Sequence, residues 1–315
     1  MSVSLVLAAL PGFGLGHVDF DSDRCGWKDP SEEQLTKYLR ASWRELSVPA
    51  SGCDLMRVSV DEWRSGSWGQ NGNTSAESLT EPIVIVGDER NTYRLSNLLS
   101  RRQLQEVWGG VRVAPAGSLS EEYSANSAYF QQAEVPLRMF IEFVLARGME
   151  QVVDSAWWSR DELQPLRMEV MSAVTNVIDT SPEKELTQQL LHNSTSSYAY
   201  IGSPGTGAAF HRHGIAYNAL ACGRKRWWFA PPERFELVVG QRPIRDSSDC
   251  HGSQCSSGIN LFDQDDAHTG GKTKSWLKQC IQHEGEIIVV PEGWLHATLN
   301  VAETVGVALV PGGHA

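Results

Sequence analysis

Apolar residues recur every three to four positions through much of the first half of the chain, and this spacing predicts helices. Residues 30–46 carry Leu35, Tyr38, Leu39 and Leu46 as a stripe behind a capping Asp29 or Ser31. Residues 95–107 form a second amphipathic stretch, stopped by Gly109-Gly110 ahead of a short strand over 111–113. A third helix is expected over 136–146, with Pro136 at its start, Leu137, Phe140, Ile141 and Val144 on one side, and Gly148 at its end. Glu81-Pro82 opens a strand over 83–86. Residues 64–78, rich in Gly, Ser and Asn, form a surface loop or linker, and residues 161–191 mix helix and loop.

The second half reads as strand. Residues 198–201 open it, and His211-Arg212-His213 follows. On a strand, residues two apart share a face, so both imidazoles would project together while Arg212 points away. Two converging imidazoles make half of a transition-metal site. Downstream, the β-rich run 287–290 meets the breaker Pro291-Glu292-Gly293. A new strand then carries His296, Thr298 and Asn300 on one face. Between these segments, residues 233–279 are polar and rich in Gly, Ser and Asp. They are too long for a hairpin turn and form an excursion near the mouth of the core, read either as a lid or as a decorative insert.

With 315 residues, 41% of them hydrophobic, the chain suffices for one large elaborated domain. A formal charge of −11 and the lack of a basic run argue against a nucleic-acid surface and leave a basic protein or peptide partner. There is no internal repeat and no transmembrane stretch. Residues 1–16 are apolar and end in small residues, which suits a secretory signal, but no Lys or Arg precedes the apolar core; an N-terminal strand is the other reading. Two sequons, at Asn73 and Asn193, fit a lumenal protein. The location stays open between the secretory pathway and the cytoplasm. None of the six cysteines forms a zinc-type Cys-x-x-Cys. Cys250 and Cys255 share a loop where a bridge would be easy, and Cys222 and Cys280 show no activating base. No Gly-x-Ser-x-Gly and no phosphate loop occurs.

Three blocks taken together resemble the jumonji-C family: Gly223-Arg-Lys-Arg-Trp227, the Pro231-Pro232 that ends its strand, and Val290-Pro-Glu-Gly-Trp-Leu-His-Ala-Thr-Leu-Asn300. The resemblance is strongest over 198–311, apart from the insert, with an echo at 81–87. It implies a mainly β, double-stranded β-helix (cupin or jelly-roll) barrel with flanking helices. The division expected is a helical N-terminal elaboration over 17–197, including the first strand, and a catalytic core over 198–315 with its insert at 233–279.

The resemblance also implies an Fe(II)- and 2-oxoglutarate-dependent dioxygenase, in the branch of small protein hydroxylases. His211 and His296 fall on the family's metal ligands, and His213 stands where the family carries Asp or Glu. A three-imidazole set also suits Zn(II). Lys225 matches the cation that holds the far carboxylate of 2-oxoglutarate, and Asn218 matches a polar co-substrate position. Two family hydroxyls are missing, at Ala208 and Ala308, with Thr206 and Thr298 as stand-ins. Lys225 is expected to point into the barrel, with Arg224 and Arg226 pointing out. The alternatives are a catalytically silent cupin acting as an interaction module and, third, a histone lysine demethylase.

Overall fold

A computed structural model describes residues 25–28, 52–68, 79–113, 115–117, 135–144, 151–153, 160–180, 197–204, 206–234 and 276–311. The expected signal at 1–16, the helix over 30–46, both sequons, Cys250, Cys255 and most of the insert lie outside these residues.

The N-terminal part contributes β1 (Met56–Ser59), α1 (Val60–Ser65), β2 (Ile83–Val86), α2 (Glu89–Leu98) and α3 (Arg101–Glu106). Short pieces follow: β3 (Arg112–Val113), β4 (Pro115–Gly117), β5 (Val135–Pro136), α4 (Leu137–Met139), β6 (Gln151–Val153) and the long α5 (Gln164–Ile178). Eight strands then run to the end: β7 (Ser197–Gly202), β8 (Gly207–His211), β9 (Ala216–Cys222), β10 (Arg224–Ala230), β11 (Lys278–His283), β12 (Glu286–Val290), β13 (Leu295–Asn300) and β14 (Thr304–Leu309).

These strands alternate between two sheets, except that β10 and β11 both join the smaller one. The large sheet has the order β1-β2-β12-β9-β14-β7, and the small one β11-β10-β13-β8. The crossing pattern is that of a double-stranded β-helix, built as two sheets rather than one closed hydrogen-bonded barrel. Cross-strand partners share a face, so register identifies what looks inward. On the small sheet Lys225 pairs with Gln282 and Asn300, Trp227 with Cys280 and Thr298, and Phe229 with His296. His296 in turn pairs with His211. One face of the small sheet therefore carries Lys225, Thr298, His296 and His211.

Two cores hold the sheets. Ile83, Ile85, Ala219, Ile287, Val289 and Val307 form the outer face of the large sheet and bury against Leu95, Leu99, Leu166, Val170 and Val174 of the helices. Inside, Leu55, Val84, Trp227, Phe229, Ile288, Val290 and Trp294 form a second apolar cluster. At about 25 cal/mol per Å² of apolar surface removed from water, such burial is the main force holding the layers together. Gln282, fully buried, bridges the sheets. Its amide donates to the carbonyls of Asn218 (2.8 Å) and Glu286 (2.9 Å), and its Oε1 accepts from the Trp227 indole at 2.8 Å.

Several helix expectations need correction. The stretch over 95–107 is two helices, because the Ser100 hydroxyl accepts from the Gln103 N–H at 3.2 Å and caps a new one. The earlier helix also begins sooner, capped by Asp88. Residues 64–65, read as loop, close α1. There Ser59 and Glu62 form a capping box, and Gly66 ends the helix at φ 69°. Over 136–146, a short α-helical turn passes into a π-helical one (Phe140–Val144), with Leu137, Phe140 and Ile141 buried. The mixed segment over 161–191 contains fifteen continuous helical residues, Gln164–Ile178.

Residues 25–28 strap the helices to the β core. Cys25 is disulfide-bonded to Cys222 on β9, and Cys53 to Cys280 on β11. The two strand cysteines, which show no activating base in the sequence, are bridge partners. Glu303 anchors the strap as well: its carboxylate accepts from the Lys28 N–H and from Arg101, both at 2.8 Å. Arg101 and Glu303 are both largely buried, so removing one strands the other's charge. Glu303→Ala is expected to lower unfolding free energy in urea by about 3–5 kcal/mol; a loss of a few tenths would mean that the pair is solvated.

Candidate metal centre

His211 ends β8 and His296 sits on the adjacent β13. His213 lies two residues beyond the end of β8, so its convergence does not come from strand alternation as expected. A hydrogen bond from the Gly293 N–H to the His213 carbonyl (3.1 Å) ties this segment to the Pro291-Glu292-Gly293 turn that leads into β13. The breaker that separates two strands therefore also fixes a histidine.

The three rings meet. Centroids are 4.1 Å apart for His211 and His296, 4.6 Å for His213 and His296, and 5.5 Å for His211 and His213. One nitrogen from each lies within 4.8 Å of the others. Bonds of about 2.1 Å put two nitrogens at most about 4.2 Å apart, so one first-row ion would draw the rings slightly together.

Tautomers are set by the backbone. His213 Nδ1 lies 2.7 Å from the Gly214 carbonyl, and His296 Nδ1 lies 3.0 Å from that of Trp294. A carbonyl only accepts, so each Nδ1 carries the proton and each Nε2 keeps its lone pair for a metal. Burial pushes the His213 imidazole below its ordinary range. Burial pushes His296 well below, helped by the neighbouring His211 and His213 and opposed by the Trp294 carbonyl. Neutral rings are ligand-ready rings. The donor set therefore fits a borderline transition metal such as Fe(II) or Zn(II).

Further along the same inner face, Lys225 is buried, and burial alone pushes its ammonium down to about 7. Among the described residues it has no carboxylate partner; its Nζ lies 3.5 Å from the centroid of the Tyr200 ring. A buried ammonium with no counter-charge is costly, and an anionic partner would offset that cost. Arg226, expected to point out, does occupy the opposite face, but it is fully buried there. It donates to Gln279 at 3.0 Å and lies 4.5 Å from the Trp228 ring.

Asn218 projects from β9 into the interior, and its Oδ1 accepts from the Tyr200 hydroxyl at 2.7 Å. Thr298 Oγ1 accepts the Ala208 N–H at 3.1 Å and keeps its own proton for an acceptor. Thr206 is committed locally: it donates to the Ser203 carbonyl and accepts from Asn300, both at 2.7 Å. That leaves it no proton for a bound anion. The residue that sequence reading missed is Tyr200. Its signal was Gly306, a glycine inside a strand, which marks a close approach: a methyl group there would collide with the Tyr200 hydroxyl.

A cleft of about 720 Å³ opens at the Pro291-Glu292 turn; none of the three histidines lines it. Ile215, Pro232, Pro291, Trp276 and Trp294 line it, together with Glu81, Glu233 and Glu292. Glu81 is paired with Lys278 at 2.7 Å.

The Cupin-like domain family matches residues 73–308. JmjC domain-containing protein 8 of Mus musculus is 23% identical over 72% of this chain and 73% of its own length. Arginine-specific demethylase JMJ20 of Arabidopsis thaliana is 32% identical over 35% of this chain, and the 2-oxoglutarate and iron-dependent oxygenase JMJD4 of Mus musculus is 29% identical over the same share. The match spans only 22% of the demethylase and 25% of the oxygenase. With strand order, converging histidines and a match over most of its length in agreement, the chain belongs to the cupin-like, jumonji-C family.

Proposed function

We propose that this protein is an Fe(II)- and 2-oxoglutarate-dependent oxygenase that hydroxylates a protein or peptide. The observation that carries this reading is one inner sheet face bearing two of three converging imidazoles and, beyond them, a buried lysine without a carboxylate partner among the described residues. His211, His213 and His296 would hold the metal, Lys225 the far carboxylate of 2-oxoglutarate, and Asn218 and Thr298 would add hydrogen bonds. When bound with 2-oxoglutarate and O2, the metal supplies the oxidising power to hydroxylate a substrate C–H bond, with release of succinate and CO2. The chain's own residues orient the co-substrate, keep the inner end of the site dry and hold His213 and His296 in their ligand tautomers. Removal of an N-methyl group begins with the same C–H hydroxylation, so a metal centre of this kind serves either outcome.

The cleft at the Pro291-Glu292 turn supports a peptide substrate, since prolines and tryptophans line it together with Glu233 and Glu292. The two disulfides support an oxidising compartment. No helix among the described residues is long and apolar enough to cross a membrane.

One observation favours a second reading, a silent cupin that serves as an interaction module: His213 stands where the family carries a carboxylate. Three neutral imidazoles leave Fe(II) its full charge, whereas an anionic ligand stabilises the higher oxidation state that the chemistry requires. Succinate formation in the native protein and in His213→Asp decides. The native protein is expected to turn over, and the substitution to reduce it, because the Gly214 carbonyl that holds the His213 ring would face a carboxylate instead of an N–H. A gain in His213→Asp would mark a decayed site. Metal binding without turnover in either form would establish the silent module.

A further inference from the structure

Resting on the co-substrate reading above, we infer that Tyr200 is its positioning residue, holding Lys225 against its ring face and Asn218 by its hydroxyl so that both present donors to one carboxylate. Three observations place it there. The Lys225 Nζ lies 3.5 Å from the ring centroid, and within the described residues this aromatic face is the closest thing the ammonium has to a counter-charge. The Tyr200 hydroxyl donates to Asn218 Oδ1 at 2.7 Å. With Oδ1 occupied, the Asn218 amide must present its Nδ2 elsewhere, and that nitrogen makes no hydrogen bond among the described residues. An ammonium and an amide N–H are thereby oriented by one side chain.

The fold makes room for this ring deliberately. Tyr200 on β7 pairs with Gly306 on β14, where any side chain would strike the phenol. Ala308, two residues on, pairs with Asn218 and has no hydroxyl of its own. Tyr200 is buried, and burial keeps its phenol protonated, so it remains a donor. Gln282 locks the same strands from the other side, donating to the Asn218 backbone carbonyl and accepting from Trp227. The contribution of Tyr200 acts through Lys225 and Asn218.

Calorimetry of 2-oxoglutarate with the Zn(II)-loaded full chain tests this, with bound metal measured in every variant. Tyr200→Phe keeps the ring, loses the Asn218 anchor, and is expected to weaken binding about three- to tenfold. Tyr200→Leu loses both functions and is expected to weaken it by more than about thirtyfold. Metal stoichiometry should stay unchanged in both, and the Michaelis constant for 2-oxoglutarate should rise without a matching fall in saturated turnover. The pair Tyr200→Phe/Asn218→Ala should bind within about twofold of Asn218→Ala alone, because the hydroxyl acts through that amide. Native affinity in Tyr200→Leu, or tighter binding there, would overturn the inference alone, the latter by showing that the ring blocks the site. No binding by the metal-loaded native protein would overturn the co-substrate reading and this inference with it.

Discussion

His296→Ala abolishes stoichiometric metal retention. The residue is buried at the centre of the cluster, within 4.1 Å and 4.6 Å ring-to-ring of its two partners, with its tautomer fixed by the Trp294 carbonyl. Even partners outside a ligand set are worth about 10–100-fold in affinity, so loss of a ligand should cost more than about 100-fold. Elemental analysis after dialysis is the check. Because His296 lies on β13 between β8 and β10, the alanine variant must also be shown to fold, by circular dichroism and by retained urea stability. Undiminished metal in a folded variant would mean that the three rings are core histidines and nothing more.

Lys225→Met should eliminate useful 2-oxoglutarate binding. A charge-assisted hydrogen bond in a dry pocket is worth about 2–4 kcal/mol, measured as the shift in dissociation constant by calorimetry. Methionine keeps the volume, so packing against Tyr200 and Trp227 survives. Stability should move the other way, because an unpaired buried cation costs free energy that the fold must offset. The sign with pH is fixed. Burial lowers the Lys225 ammonium to about 7 in the folded chain. From there up to its ordinary value of about 10.4 the unfolded chain holds the extra proton, so the native protein gains stability as pH rises through this window. The methionine variant lacks that gain. An unchanged dissociation constant would show that the carboxylate partner lies elsewhere.

The β core was legible because its signals are local. Pro291-Glu292-Gly293 stops one strand, and the alternation after it sends His296, Thr298 and Asn300 to one face. The resemblance of Gly223-Arg-Lys-Arg-Trp227 points Lys225 inward, and its pairing with Asn300 agrees. His213 is the instructive case: the convergence expected of it is present, but β8 ends at His211 and a hydrogen bond to Gly293 provides what alternation was expected to provide. Long-range pairings were not legible. Nothing local marks Cys222 as the partner of Cys25, 197 residues away, or Gln282 as the bridge between sheets. Tyr200 and Asn218 meet only because β14 lies between their strands. Helix limits failed for a local reason instead, where a capping serine at 100 divides one apolar stripe into two helices.

The most direct single measurement is anaerobic titration of the Fe(II)-loaded protein with 2-oxoglutarate, followed by visible absorption, because chelation of Fe(II) by the keto acid produces a charge-transfer band that neither component shows alone. The expected result is a band that saturates at one equivalent per chain, disappears in His296→Ala and shifts to much higher ligand concentration in Lys225→Met. A folded, iron-loaded protein that develops no band at any concentration of 2-oxoglutarate would contradict the assignment of this face as an oxygenase centre.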